Sequence, residues 1–283
     1  MDIAIISDST CDLGFSAEVA YTIDLVPLSV AFGKKVYRDG IDLSIEEFYQ
    51  RLSKASALPT TSQPSPAAFA SVFRRRLDEG KAVLGIFLSS ALSGTYQSAA
   101  LAKDTFSPGE QERIHLIDSR HATGNLALLV LEACRMRDQG SKPEEISEHI
   151  HSLIPRVRLY ATLDSLKYLR MGGRLSAAAA VTGGLLNIVP IVTVEDGAVE
   201  VAAKIRKSRD AFRKWLRAKI NTDLPDPKYP VFYLYSNNQA VLTPLQEEFK
   251  YLFPADSTYR LPIGSVIGTH AGPGALGIVY VTR

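Results

Sequence analysis

Short runs of apolar residues, separated by stretches in which apolar positions recur every three or four residues, organise the first half of the chain. Asp2–Ile6, Asp24–Phe32, Ala82–Leu88 and Ile114–Ile117 have the length and β-branched content of strands. The gaps between them are long enough for crossover helices, which predicts a mainly parallel sheet with flanking helices. Helix boundaries are written locally. Ser44-Ile45-Glu46-Glu47 is a capping box, Ser65-Pro66 puts a capping hydroxyl before a proline at the first helical position, and Gly80 ends that helix. Ser141-Lys142-Pro143-Glu144 repeats the capping logic. Beyond about Pro155 the rhythm changes. Asn187–Val194, the turn Glu195-Asp196-Gly197 and Ala198–Ala203 predict an antiparallel hairpin. A basic helix, a strand at Val231–Tyr235, a helix from about Gln239 to Leu252 and a strand at Ile278–Val281 follow. The fold class expected is α/β, an N-terminal mainly parallel sheet joined to a C-terminal α+β unit with a mixed or antiparallel sheet. The boundary falls near residues 155–162, giving units 1–157 and 158–283.

Composition agrees with this outline. With 283 residues the chain is long for one compact core and comfortable for two. An apolar fraction of 46% against 22% charged residues supports a packed interior rather than disorder. The apolar stretch Ile3–Ile6 is too short and too early for a signal-peptide core, and no run reaches the roughly 20 residues of a membrane span, so a cytoplasmic protein is expected. Cys11 and Cys134 form no disulfide or zinc spacing, and the five histidines are scattered without a metal-binding motif. No metal and no cofactor are therefore expected. A net charge of +2 with no aromatic–basic stripe argues against nucleic acid as partner.

Several segments place hydroxyls and glycines where a plain fold would use helix formers. Ser7-Asp8-Ser9-Thr10-Cys11-Asp12-Leu13 follows the first strand, where an α/β sheet presents ligand-facing groups; the same residues also suit a simple helix-capping turn. Pro59-Thr60-Thr61-Ser62-Gln63-Pro64-Ser65-Pro66 sets four hydroxyls between prolines, a stiff loop of donors fit for an oxyanion, or merely a cap for the next helix. Leu88-Ser89-Ser90-Ala91-Leu92-Ser93-Gly94-Thr95-Tyr96 leads from a strand into a helix, a place that favours a carboxylate or phosphate. It matches neither a nucleotide phosphate loop nor a GxSxG elbow. Downstream lie Lys167-Tyr168-Leu169-Arg170-Met171-Gly172-Gly173-Arg174, the small-residue run Ser176–Ala180 with Gly183-Gly184, and Gly268-Thr269-His270-Ala271-Gly272-Pro273-Gly274. The small residues either allow close packing or leave room for an apolar guest.

In order along the chain, SDSTCDL, DGIDLS, LPTTSQPSP, LSSALSGTYQSA, LIDS, LDSLKYLRMGGRLS and IGTHAGPGALGIVYV resemble the motifs of the DegV family of bacterial fatty-acid-binding proteins. The likeness runs from residue 7 to the C-terminus. It implies a long-chain fatty acid, such as palmitate, stearate or oleate, buried in a slot between the two units. It also implies a separate ATP-dependent fatty acid kinase that phosphorylates the bound carboxylate, a link to phospholipid metabolism, and no catalytic residue in this chain. By position in the motifs, Thr61 and Ser93 match carboxylate ligands, with Ser62 and Gly94 beside them. His270 matches the histidine near the head group, and Arg170 a supporting residue. Burying about 15 methylenes at roughly 0.8 kcal/mol each gives an upper figure near 12 kcal/mol, before ordering and association costs.

An alternative of another class uses the same residues: a serine hydrolase with Ser93, His270 and an acid such as Asp8. A metal-dependent enzyme has little support. Between Lys204 and Arg217 stand seven basic residues against one acidic. This segment is expected to form one basic element beginning a helix near Ser208, with Phe212, Trp215 and Leu216 buried. Lys204, Arg206 and Arg213, joined by Arg174, would form a surface for an acidic kinase face or an anionic membrane, unless they are an ordinary solvated face.

Overall fold

The computed structural model describes residues 2–16, 22–175, 188–206, 209–253 and 255–283. The first part runs β1 (Ile3–Asp8), β2 (Asp24–Val26), β3 (Ser29–Phe32), β4 (Lys35–Arg38), α1 (Ile45–Lys54), β5 (Thr60–Ser62), α2 (Pro66–Asp78), β6 (Ala82–Phe87), α3 (Thr95–Lys103), α4 (Pro108–Gln111), β7 (Ile114–Asp118), α5 (Thr123–Asp138) and α6 (Pro143–Leu153). The second part runs β8 (Val157–Thr162), α7 (Lys167–Met171), β9 (Ile188–Glu195), β10 (Ala198–Arg206), α8 (Arg209–Thr222), β11 (Val231–Tyr235), α9 (Thr243–Phe249), β12 (Thr258–Pro262), α10 (Ser265–Ala271) and β13 (Leu276–Val281). The fold is α/β: a parallel sheet in the order β2-β1-β6-β7 and a mixed sheet in the order β10-β9-β8-β13-β11-β12.

The mixed sheet has two buried faces because side chains alternate along each strand. Leu159, Ala161, Val192, Leu234 and Val279 face the core shared with the parallel sheet, while Tyr160, Ile191, Tyr233, Ile278 and Tyr280 face Phe212 and Leu216 of α8 and Leu245 of α9. Between the sheets lies α5, buried on every side from Thr123 to Cys134. It packs on β1 and β6 one way and on β8, β11 and β13 the other. Its buried Leu126–Leu131 run, apolar on every face, needs such a position.

The expected strand Asp24–Phe32 is two strands in two sheets. Pro27 cannot donate to a ladder, and after it the chain turns into a third sheet, antiparallel and ordered β4-β3-β5. That sheet also claims Thr60–Ser62, read above as loop; Thr61 pairs with Val30. Ser44 caps α1 by accepting from the Glu47 N–H, but the Glu47 carboxylate turns to Arg51, so only half of that box forms. At α6 the reverse half is present: Glu145 accepts from the Lys142 N–H at 2.8 Å, and lysine has no acceptor to return the bond. Asp196 and Gly197, both at positive φ, make the hairpin turn as expected.

The expected helix Gln239–Leu252 is a 3₁₀ turn, Gln239–Leu242, followed by α9, which ends at Phe249. The basic run is also divided. Lys204 and Arg206 lie on β10, and Arg213 on α8; the start near Ser208 lies outside the described residues, as do Ser176–Ala180, Gly183-Gly184 and Asn187. Phe212 and Leu216 are buried as the helical period requires, with Trp215 half-buried. No helix among the described residues is long and apolar enough to cross a membrane.

Candidate functional site

Where the ends of the parallel strands meet the inner face of the mixed sheet, a cavity of about 350 Å³ remains. Its walls are largely aliphatic: Leu159, Ala161, Val192 and Leu234 from the mixed sheet, with Val266 and Ile267 from α10. All but Ile267 are buried. Polar lining is concentrated where the cavity reaches solvent, in Thr61, Ser62, Gln63, Ser93, Arg174 and His270, each half-buried or exposed. The result is an apolar slot closed at one end by hydroxyls, an amide, an imidazole and a guanidinium. Its volume falls within the roughly 300–1,000 Å³ common for small-molecule sites. Among the described residues no group of three His, Cys, Asp or Glu is arranged to hold a metal ion.

Each polar group is set by its element. Thr61 is the middle residue of edge strand β5, whose alternation turns it inward while Thr60 and Ser62 are exposed. Its Oγ1 lies 3.0 Å from His270 Nε2, near the end of α10. His270 Nδ1 is buried without a hydrogen-bond partner. An Nε2–H donating to Thr61 leaves only a lone pair orphaned there, and frees the Thr61 O–H to donate onward. Ser93 Oγ is 2.9 Å from Thr95 Oγ1 at the start of α3. Gly94 caps that helix, and a Cβ there would stand 2.3 Å from the Gln63 amide, which instead lies over Gly94 and donates to Ser98 Oγ at 2.8 Å.

Thus Thr61, Ser62, Ser93, Gly94 and His270 converge on one end of the slot. Arg170 is exposed on α7 and does not line it, whereas Arg174, assigned above to a partner surface, does. Arg174 donates to the Leu92 and Gly172 carbonyls. Gln63 was overlooked, although it stands inside the TTSQPS motif. The hydrolase constellation is not assembled. Among the described residues no hydrogen bond joins Ser93 to His270, and Asp8 is buried elsewhere, accepting from Thr10 and from the Leu88 N–H.

The model of the DegV family matches residues 2–283. The chain belongs to the DegV family. A DegV domain-containing protein from Caldanaerobacter subterraneus is 38% identical over 278 residues, 98% of each chain. Two solved structures extend the likeness to fatty-acid-binding proteins. A fatty-acid-binding DegV family protein from Thermus thermophilus shares 31% identity over the full length of both chains with a TM-score of 0.89. A stearic acid-binding protein from Eubacterium ventriosum is 29% identical over 100% of this chain and 98% of its own, with a TM-score of 0.85.

Burial, reinforced by the charge of Arg174, lowers His270 of this DegV chain from 6.5 to about 4. At neutral pH the ring is therefore an uncharged hydrogen-bonding group. Burial takes His121 to about 4 as well. Between those values the unfolded chain takes up protons that both native rings refuse, so their contribution to stability falls as the pH drops from 6.5 to 4. Asp8, Asp12 and Asp39, raised by burial, act in the opposite sense: stability rises as the pH falls through their elevated values. His270 can be read separately by NMR. In lipid-free protein its Cε1–H signal should stay in the neutral position until the pH approaches about 4; a midpoint near 6.5 would mean that the ring is hydrated.

Proposed function

We propose that this chain binds one long-chain fatty acid, such as palmitate, stearate or oleate, and presents its carboxylate to a separate ATP-dependent fatty acid kinase. The observation that carries the reading is the aliphatic slot ending in Thr61, Ser93 and His270. Membership of a family with lipid-binding structural neighbours supports the ligand class.

An acyl chain gains by leaving water, but its carboxylate must find donors or lose more than the tail gains. The Thr61 and Ser93 hydroxyls are such donors, with His270 behind Thr61; Ser62 and Gly94 complete the proposed head-group surroundings, and Arg170 is a proposed supporting residue outside the slot lining. Hydroxyl donors at a solvent-reaching end leave a carboxylate oxygen open to a phosphoryl group brought from outside. The chain carries no phosphate loop of its own, so the phosphoryl donor is assigned to the kinase.

The decisive measurement is mass spectrometry of an organic extract of the purified protein. About one fatty acid per chain is expected; an extract without lipid, from protein that also fails to bind added oleate, would refute the reading. Thr61→Val keeps the shape and removes the hydroxyl. It should weaken oleate binding by about tenfold to a hundredfold, the range of a hydrogen bond to a charged group, without abolishing it. His270→Ala should slow kinase-dependent acyl-phosphate formation more than it lowers retained lipid.

Lys204, Arg206 and Arg213, with Arg174, remain the proposed contact for an acidic kinase surface or an anionic membrane. Lys204 and Arg206 are exposed, while Arg213 is ion-paired with Asp210, so its charge is partly neutralised. Charge reversal at Lys204 and Arg206 should lower kinase-coupled turnover at low salt and leave retained lipid unchanged. Normal turnover in both kinase and liposome-exchange assays would make these residues solvation only.

A further inference from the structure

The SDSTCDL and DGIDLS motifs contribute no group to the slot's polar end, yet two of their carboxyl groups, Asp12 and Asp39, are buried and aimed at the same helix. Asp12 Oδ1 accepts from the Gly264 N–H at 3.0 Å, and Asp39 Oδ1 accepts from the next N–H, Ser265, at 3.2 Å and from the Ser265 hydroxyl. These are the first N–H groups of α10, which helix geometry leaves without internal partners. Further along the same helix stand Ile267, two residues beyond Ser265, which lines the slot wall, and His270, five residues beyond it, at the polar end. Asp12 Oδ2 also receives the Thr123 hydroxyl at 2.6 Å. Thr123 lines the slot at φ +49°, a conformation that a β-branched residue holds only under constraint.

We infer that Asp12 and Asp39 are positioning residues: they clamp the start of α10 so that His270 meets Thr61 at the head-group end of the slot. The rest of the helix's surroundings supports a clamp rather than a loose cap. The Tyr49 hydroxyl donates to the Ile263 carbonyl at 3.1 Å, just before the helix. A Cβ at Gly268 would stand 2.7 Å from the Phe48 ring and 2.7 Å from the Tyr49 hydroxyl, so α1 already meets the helix backbone. With α1 on one side and two carboxylates at the start, α10 has little freedom to slide. Removing a carboxylate frees the end that the aromatic contact does not hold.

The part of this inference that concerns fatty acid rests on the function proposed above, so its test has one arm that needs no lipid. In lipid-free protein, Asp39→Ala should move the His270 NMR titration from about 4 toward 6.5, as the loosened helix lets water reach the ring. Asp39→Asn, which keeps an oxygen for the Ser265 N–H, should hold the titration near the wild-type value. In the second arm Asp39→Ala, which removes the bonds to both the Ser265 N–H and the Ser265 hydroxyl, should release oleate about tenfold faster, and Asp39→Asn should restore most of that loss.

Should the alanine protein fail to fold, Ser265→Ala removes the hydroxyl bond alone and should shift both readouts in the same direction by less. An unchanged His270 titration and an unchanged off-rate in Asp39→Ala or, in its place, Ser265→Ala would overturn the clamp. Wild-type protein that binds no oleate, with the titration shifting as described, would overturn the fatty-acid reading and leave the clamp standing.

Discussion

Ala161→Phe should abolish retention of long-chain lipid while leaving the protein folded. Ala161 is buried on β8, and its small side chain faces the slot from the inner side of the mixed sheet. A phenyl ring there occupies a large part of a cavity of only about 350 Å³. Lipid extracted per chain is expected to fall below about a tenth of wild type, since an acyl chain and a ring cannot share the space. Filling a cavity is seldom costly when the ring finds a rotamer, so the lipid-free melting temperature should stay close to wild type.

A second thermal reading separates blocking from misfolding. Ligand that binds only the native state raises the melting temperature by mass action, so added oleate should stabilise wild type and not the variant. Tyr160→Phe, on the opposite face of the same strand, removes a hydroxyl that reaches Asp223 and should change neither lipid content nor the response to oleate. Full lipid occupancy in Ala161→Phe would place the acyl chain somewhere other than this slot.

The slot's walls were legible in the sequence only as strands, because periodicity reports which residues are buried and not what they are buried against. Val192 and Leu159 obey the same alternation whether they face a helix or a cavity. The three-stranded sheet was hidden for a related reason. Thr60-Thr61-Ser62 is short, lies among prolines and has no apolar alternation, since its pairing with β3 is a backbone matter. The polar end could be read because its chemistry is local to motifs. Hydroxyls beside a strand end and a helix start identify themselves, and Thr61, Ser93 and His270 do meet at one cavity.

Arg170 and Arg174 show where such reading stops. They are four residues apart on one short segment, and only the three-dimensional course of the chain after α7 decides which of them reaches the slot. The basic run is not the single element that its spacing suggests. A count of charges along the chain cannot see that Asp210 and Glu248 draw Arg213 and Arg217 into ion pairs, or that the run is divided between a strand and a helix.

Gly172→Ala should weaken oleate binding about tenfold or more through a residue that touches no ligand. Gly172 has φ −76°, a conformation that alanine adopts freely, so backbone strain is not at issue. The obstacle is His270: a Cβ at Gly172 would lie 2.2 Å from Nδ1 and 2.9 Å from Cε1 of the imidazole. The ring is held edge-on against the glycine backbone, which also explains why buried Nδ1 has no hydrogen-bond partner. An added methyl must displace the ring, and displacement breaks the 3.0 Å contact with Thr61 on which the polar end is built.

A double-mutant cycle decides between this path and a general loss of stability. In a His270→Ala background there is no ring to push, so Gly172→Ala should then cost little further affinity, giving a coupling of about 1 kcal/mol or more. Gly109→Ala, at a glycine with nothing within 4 Å of its Cβ position, serves as the control and should leave binding unchanged. If the two losses simply add, His270 is not the residue through which Gly172 acts, and the imidazole's packing on the glycine has no part in holding the head group.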